Sequence, residues 1–288
     1  MWALLSNPTS GGGLGKRVTA ETIAWLKANN LDFDDISGSN EAEAADNLAR
    51  LYLNSYQGLI VVGGDGLVHL AIQRIAGSNL PIALVPAGTG NDFARSLRLN
   101  ISNPIANLFL ISNRQPTVVD LGKVGEKYFV QILSTGFDSL VNERANQMKH
   151  ISGRFKYNLA ILLVLSTFKP KSYSFKVDQV QFESRAMLIA VANGPSYGGG
   201  MYITPMANHQ DGWLDVLILG PVSKLEFLKV FPKVYKGSHI DHPAVKILRG
   251  KRIEISAPAI AYADGERIGE LPVTAEIHPA SLKVWRND

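Results

Sequence analysis

The chain contains no cysteine. That excludes disulfides and thiolate zinc sites, and it suits a reducing compartment. No apolar run is long enough to span a membrane: the most apolar window, Leu159 to Leu165, gives way to Ser166-Thr167 and then to Lys169-Pro170. There is no block of like charge either. The formal charge of +4 and pI near 9.1 therefore supply no arm for a nucleic acid, and suit an anionic ligand or an anionic membrane surface instead. Internal repeats and low-complexity stretches are missing. His209, His239, His242 and His278 show no metal-ligand spacing, which removes zinc. The opening Met1-Trp2-Ala3-Leu4-Leu5-Ser6-Asn7-Pro8 has no basic region and too short an apolar run for a secretory signal, so a cytoplasmic location is the expectation. What is present is a chain of 288 residues with the apolar content of a globular protein, enough for one large or two ordinary domains.

The chain is organised around Gly58-Leu59-Ile60-Val61-Val62, which has the length and β-branched content of a buried parallel strand. It breaks into Gly63-Gly64-Asp65-Gly66, and a helix is expected from Leu67-Val68-His69-Leu70 onward. Alone, this cluster is either a plain turn or a ligand loop with Asp65 as its chemical group. Its neighbours decide. Ala3-Leu4-Leu5 reads as a strand, followed by Asn7-Pro8-Thr9-Ser10-Gly11-Gly12-Gly13-Leu14-Gly15-Lys16 and a helix with Leu14, Val18 and Trp25 on one face. Backbone N–H groups of such a loop converge on phosphate oxygens, although Arg17 after Lys16 breaks the Walker pattern. Asp32 to Ile36 is a second strand, Ser37-Gly38-Ser39 a loop, and Glu41 to Leu53 a helix with Ala44, Leu48 and Leu51 inward. Pro81 to Val85 is a fourth strand, running into Pro86-Ala87-Gly88-Thr89-Gly90-Asn91-Asp92-Phe93-Ala94-Arg95. Three glycine-rich loops thus end strands of one β/α alternation, and right-handed crossovers put all three on one sheet edge, where ligands bind.

From about Pro116 the pattern changes to short strands separated by turns: Val118–Val124, Tyr128–Ile132, Tyr173–Val177, Val180–Phe182, Met187–Asn193, Leu214–Leu219, Val245–Leu248 and Arg252–Ile255. Helices are expected over Asp138–Lys149, Arg154–Phe168 and Ser223–Lys236. The expected fold is therefore an N-terminal three-layer α/β, Rossmann-like domain with a parallel sheet, residues 1–119, and a C-terminal mainly antiparallel β domain, residues 120–288. The final strand, Ala280 to Trp285, is expected to return to the first domain, and the ligand is expected in a cleft between the two.

Several motifs in order, Asn7-Pro8-Thr9-Ser10-Gly11, Gly63-Gly64-Asp65-Gly66, Pro86 to Ala94, Asn193-Gly194 with Gly198-Gly199-Gly200-Met201, Pro205 with Asp211-Gly212-Trp213-Leu214-Asp215, and Asp264-Gly265-Glu266, resemble the diacylglycerol kinase catalytic domain of bacterial lipid kinases and sphingoid-base kinases. The likeness covers nearly the whole chain. It implies an ATP-dependent lipid kinase with Mg²⁺, of the NAD kinase/diacylglycerol kinase-like fold, whose second domain is a β-sandwich facing the lipid. It implies that Asn7, Pro8, Thr9, Ser10 and Gly11, then Gly63, Gly64, Asp65, Gly66, Leu67, Val68 and His69, with Thr89, Asn91 and Ser37, hold the nucleotide. By the same resemblance Asp264 and Glu266 deprotonate the lipid hydroxyl, with Asp65 as metal or water ligand or, as in the sphingoid branch, the base. Asp211, flanked by the backbone carbonyls of Asn208 and Trp213, matches a magnesium position. Asp92 and Asp138 match substrate-side positions, Asp138 with a helix cap as its alternative. Partners implied are a membrane lipid, peripheral contact with the inner membrane face, and a second copy of the chain, with no nucleic acid.

The sequence departs from the family where Gly-Gly-Asp-Gly-Thr is usually followed by Asn-Glu: here stand Leu67, then His69 and Leu70. Leu67 points toward sphingoid-base kinases, and Asp92 toward diacylglycerol kinases. A catalytically weak lipid- or nucleotide-binding regulator is a further alternative, prompted by the missing hydroxyl and carboxylate, and NAD kinase another. Lys224, Lys229, Lys233 and Lys236 alternate with Leu225, Phe227, Leu228 and Phe231, giving a basic amphipathic helix that either covers a domain or touches anionic lipid.

Overall fold

The computed structural model describes residues 1–148 and 153–287, the latter with side chains from Leu159 onward. Two compact units divide the chain, one of Met1–Leu121 with the stretch from His278, the other of Gly122–Ile277.

The first unit alternates strand and helix: β1 (Trp2–Ser6), α1 (Leu14–Ala28), β2 (Phe33–Asp35), α2 (Glu41–Arg50), β3 (Leu59–Gly63), α3 (Asp65–Ile75), β4 (Ile82–Pro86), α4 (Asp92–Ser96) and α5 (Phe109–Asn113). The strands form a parallel sheet in the order β2-β1-β3-β4, with Leu5 beside Val61 and Val61 beside Leu84. β1, β3 and β4 are buried along their whole length, as expected for apolar strands covered on both faces. The inward face of α1 differs from the predicted one. Gly15, Val18, Thr22 and Leu26 are buried, and Trp25 lies at the edge, its ring 5.7 Å from Phe109. The reason is close docking: a Cβ on Gly15 would stand 2.2 Å from the Asn7 carbonyl oxygen, so this helix face must carry glycine where it meets the loop. α2 begins on Asn40, whose side chain accepts from the Glu43 N–H, and it ends before Leu53 because Leu51 is extended. Arg74 of α3 then donates to the Leu48 and Leu51 carbonyls and satisfies that helix end. The stretch Pro86 to Arg95, read as continuous loop, contains α4.

The second unit follows β5 (Thr117–Val124), which crosses the boundary, with β6 (Lys127–Phe129), β7 (Ile132–Gly136), α6 (Phe137–Gln147), α7 (Gly153–Thr167), β8 (Lys171–Val177), β9 (Val180–Ala186), β10 (Leu188–Ala192), β11 (Leu214–Leu219), α8 (Lys224–Val230), β12 (Val245–Gly250), β13 (Arg252–Ser256), β14 (Ile260–Ala263), β15 (Glu266–Glu270) and β16 (Val273–Val284). An antiparallel sheet runs β12-β11-β10-β7-β14-β15. β13, between β8 and the start of β16, belongs to a second antiparallel layer. Tyr173, Phe175, Ile253 and Ile255 of that layer pack with Leu133, Ile189, Val191 and Val216 of the first, which makes the unit a β-sandwich. β16 then enters the first unit, where Val284 lies beside Ile82 and Trp285 donates to the Arg114 carbonyl.

Four further details depart from the sequence reading. The single strand expected over Tyr128–Ile132 is two, β6 and β7, separated by Val130-Gln131. The hairpin β14–β15 was not anticipated, since Glu266-Arg267-Ile268-Gly269-Glu270 is mostly polar and exposed. The helix expected over Ser223–Lys236 is α8 followed by a 3-10 segment, Phe231–Lys236, because Pro232 removes a donor. α6 starts at Phe137 and ends at Gln147; its predicted end, Lys149, lies outside the described residues. Among the described residues no helix is long and apolar enough to cross a membrane.

Candidate active site

At the carboxyl edge of the parallel sheet the loops of the first unit meet. Gly11 adopts φ +60°, and a Cβ there would lie 2.4 Å from the Ala87 carbonyl oxygen. A Cβ on Gly88 would lie 2.4 Å from the Gly64 Cα. The β1, β3 and β4 loops therefore touch backbone to backbone, and only glycine allows that approach. Asn7 braces the first loop, its side-chain oxygen accepting from Thr9 N–H at 3.0 Å and Thr9 Oγ1 at 2.8 Å. Asn91, buried and left-handed at φ +55°, accepts from Gly88 N–H and donates to the Gly88 carbonyl, so its side chain shapes the loop from inside. Ser37 reaches β1, accepting from Ser6 N–H at 2.8 Å with its hydroxyl 2.9 Å from that of Ser6. Thr9 and Thr89 are exposed on the rim.

Asp65 begins α3, where a carboxylate is favoured by the helix dipole, and its Oδ1 accepts from Phe93 N–H at 3.4 Å. Asp65 thus ties the β3 loop to the first turn of α4. Val68 and His69 are buried on the inner side of α3, and His69 Nε2 lies 3.3 Å from the Gln73 amide. Leu67 covers Gly63: a Cβ on that glycine would meet Leu67 Cδ2 at 2.8 Å. Asp92 is also buried, with only 4% of its surface exposed.

In the second unit Asp264 occupies the turn between β14 and β15 at φ +50°, which Asp tolerates better than most residues. Its carboxylate accepts from Val130 N–H at 2.7 Å and, through the other oxygen, from Gln131 and Ile132 N–H at 2.9 and 3.1 Å. The break between β6 and β7 exists where this carboxylate collects three amides. Asn193 Nδ2 donates to the Val130 carbonyl, and His209 Nε2 lies 3.2 Å from Gln131 Oε1, so a buried polar layer supports the same turn. Glu266, two residues on, is exposed. Sequence reasoning missed Val130, Gln131 and Ile132 because they hold Asp264 through backbone N–H groups.

Asp138 stands at the start of α6 and is buried. Its Oδ2 accepts from the Tyr197 hydroxyl at 3.1 Å, and its Oδ1 from Ser139 N–H at 2.9 Å. Burial pushes its pKa up to about 6, against the lowering pull of hydrogen bonds from Ser134, Tyr197 and Ser139. The loop 208–213 is folded by its own side chains: Asn208 accepts from Gln210 N–H and Asp211 from Trp213 N–H. Arg249 pairs with Asp211 and, at 3.4 Å, with buried Asp215, while Lys251 sits 4.9 Å from the Trp213 ring centre. Burial raises the Asp215 pKa more than Arg249 lowers it. Asp215 Oδ2 has no hydrogen-bond partner among the described residues. The Asp211–Asp215 oxygens fit a hard cation such as Mg²⁺ in donor chemistry, with Arg249 as the charge that now balances Asp211. Among the described residues no three His, Asp or Glu side chains cluster as a metal site.

Residues 1–124 match the family model of the diacylglycerol kinase catalytic domain, and residues 131–286 match that of the YegS C-terminal NAD kinase beta sandwich-like domain. The chain is 36% identical over 289 residues to the diacylglycerol kinase of Mycobacterium tuberculosis (strain ATCC 25618 / H37Rv), covering 98% of this chain and 94% of that protein. It is 25% identical to the diacylglycerol kinase of Bacillus subtilis (strain 168), covering 93% of this chain and 90% of the relative. The crystal structure of a diacylglycerol kinase from Bacillus anthracis str. Sterne superposes with a TM-score of 0.75 at 20% identity, over 99% of this chain and 96% of that one. At that identity the likeness is one of fold.

Proposed function

The chain belongs to the diacylglycerol kinase family and is a lipid kinase, and from that premise we propose that it transfers the γ-phosphate of ATP to a hydroxyl of diacylglycerol, giving phosphatidic acid. The observation that carries this reading is the backbone contact of three loops, Gly11 on Ala87 and Gly64 on Gly88, at the carboxyl edge of a parallel sheet. Such a rim presents main-chain donors and a helix start to a polyphosphate. Asn7, Thr9, Ser10, Ser37, Thr89 and Asn91 shape or line it.

The acceptor oxygen attacks the γ-phosphorus in line, the bond to the β–γ bridging oxygen breaks, and ADP leaves. The acceptor's proton goes to Glu266, the exposed carboxylate of the pair. Asp264 positions it: a carboxylate already accepting three amide N–H groups fixes the turn that carries Glu266. Mg²⁺, when bound, would supply charge neutralisation to the phosphates; Asp65 is the residue of the rim that would hold it through water, and Asp211 is the residue of the loop 208–213 whose carboxylate would hold a second ion. This division of labour changes the expectation that Asp264 and Glu266 share the base role. The kinase works at the inner face of the membrane.

Glu266→Gln tests the reading. Turnover of diacylglycerol should fall by about 10²–10⁴-fold, the range for loss of a general base, while ATP affinity and thermal midpoint stay unchanged; full turnover would remove Glu266 from the mechanism. A second reading, a sphingoid-base kinase, is favoured by the identity of Leu67, the residue that follows Asp65-Gly66. Labelled ATP offered with diacylglycerol, phosphatidylglycerol, sphingosine and NAD separates the two, since the labelled product names the acceptor.

A further inference from the structure

The segment from Lys224 to Lys236 carries two apolar faces, and only one of them is used by the fold. Phe227 and Val234 are buried, and Phe227 packs on Phe137 and Phe231 with ring centres 4.8 and 5.7 Å apart. These anchors hold α8 and the 3-10 segment on the unit. On the opposite side Leu225, Leu228, Pro232 and Tyr235 recur at spacings of three, four and three residues and are exposed; Leu225 keeps 73% of its surface in water. Lys224, Lys229, Lys233 and Lys236, all exposed, lie beside this stripe. The acid of the segment, Glu226, is occupied by the Ser223 N–H and by His242. The stripe continues onto α7. Lys224 Nζ donates to the Ser166 carbonyl at the end of α7, one turn from Leu162 and Leu163, which are exposed as well.

We infer that this leucine and lysine face is the surface by which the kinase docks on an anionic bilayer. The proposal rests on the lipid-kinase reading and adds the surface that brings the enzyme to its acceptor. Exposed leucines flanked by lysines match the layering of a membrane interface: apolar side chains enter the acyl boundary, and lysine stems reach back to anionic headgroups. Other occupants fit less well. A nucleic acid would engage the lysines and leave the leucines in water. A second copy of the chain packed about a two-fold would oppose this set of lysines to itself, which costs affinity. An anionic bilayer offers both complements at once.

The test is co-sedimentation of the full chain with vesicles made of equal parts phosphatidylglycerol and phosphatidylcholine, compared with pure phosphatidylcholine. Each lysine near an anionic surface contributes roughly fivefold in partitioning. Binding should therefore favour the anionic vesicles, weaken in high salt, and fall about tenfold or more in Leu225→Glu/Leu228→Glu and in Lys229→Glu/Lys233→Glu. Phosphorylation of vesicle-embedded diacylglycerol should fall with it. Phosphorylation of a short-chain diacylglycerol dissolved as monomer should be unchanged, because none of these residues belongs to the site described above. Unchanged vesicle binding overturns the docking surface, and so does an equal loss on the monomeric substrate. Sedimentation velocity separates the remaining case: a wild-type dimer that the leucine variant converts to monomer would assign the face to self-association and also overturn it. Failure of the wild type to phosphorylate the monomeric diacylglycerol would count against the lipid reading itself, independently of the vesicle result.

Discussion

Asp65 and Asp264 are the two carboxylates that the sequence marks most clearly, each beside a glycine, and they stand in opposite kinds of structure. Around Asp65, in the first unit, the chain is shaped by main chain against main chain: Gly11 on Ala87, Gly64 on Gly88. Around Asp264, in the second, the backbone is irregular and side chains hold it, with three amides on one carboxylate and Asn193 and His209 behind them. The contrast follows the chemistry proposed for each. A polyphosphate is bound by many weak, similar donors, which backbone supplies. A single proton must be taken from a single hydroxyl, the role proposed for Glu266, and that calls for a turn held at one angle, which the Asp264 carboxylate supplies.

The sharpest way to break this comparison is to remove the charge from Asp264. Asp264→Asn keeps one acceptor and turns an NH₂ toward the amides of Val130, Gln131 and Ile132. Hydrogen bonds to charged groups are worth more than neutral ones, so a loss of about 3–5 kcal/mol is expected. Chemical denaturation should show the cost, and turnover should disappear with it. A variant that loses turnover at wild-type stability would instead make Asp264 the base. On the other side, Gly88→Ala drives a Cβ into the Gly64 backbone, and overpacking that cannot relax through a side chain should cost about 3 kcal/mol. ATP affinity, measured by titration calorimetry, should fall at least as far. If it does not, the meeting of the loops is not the nucleotide site.

The same contrast explains what could be read from the sequence. The parallel strands and the rim of loops were legible, because fully buried apolar strands ending in glycine leave a strong local pattern; the sheet order β2-β1-β3-β4 was not. The face of α1 was not, because the closest contact belongs to Gly15, which has no side chain to mark a periodicity. In the second unit the antiparallel strands were visible as short runs between turns and the sandwich was implied by the family resemblance, whereas β15 was missed because it is mostly polar. The supports of Asp264 were invisible for another reason: Val130, Gln131 and Ile132 act through N–H groups that every such residue shares. Tyr197 and Ser134, the partners of Asp138, lie far from it or carry no distinctive motif, and only the folded chain assembles them. The basic helix was predicted whole; Pro232 divides it, yet the spacing of its outer leucines continues through the division.

The smallest effect belongs to Asp138, and it sharpens the comparison by showing what a carboxylate costs when burial outweighs the hydrogen bonds that stabilise its charge. Burial raises its pKa from 3.8 to about 6 in the folded protein. Between those values the folded chain keeps a proton that the unfolded chain has released, so stability falls as pH rises from about 4 to about 6 and is level above. The gap corresponds to roughly 3 kcal/mol, of which about 2 kcal/mol is expected to survive repacking in a variant. Asp138→Asn cannot ionise and retains an oxygen for Tyr197 or the Ser139 N–H. It should match the wild type near pH 4 and exceed it near pH 8, in urea denaturation at both pH values. Equal gains at the two pH values would mean that packing, not ionisation, separates the proteins. A loss at pH 8 would mean that the ionised carboxylate is held as firmly as that of Asp264, and the distinction between a carboxylate stabilised for positioning and one left strained toward its neutral form would no longer stand.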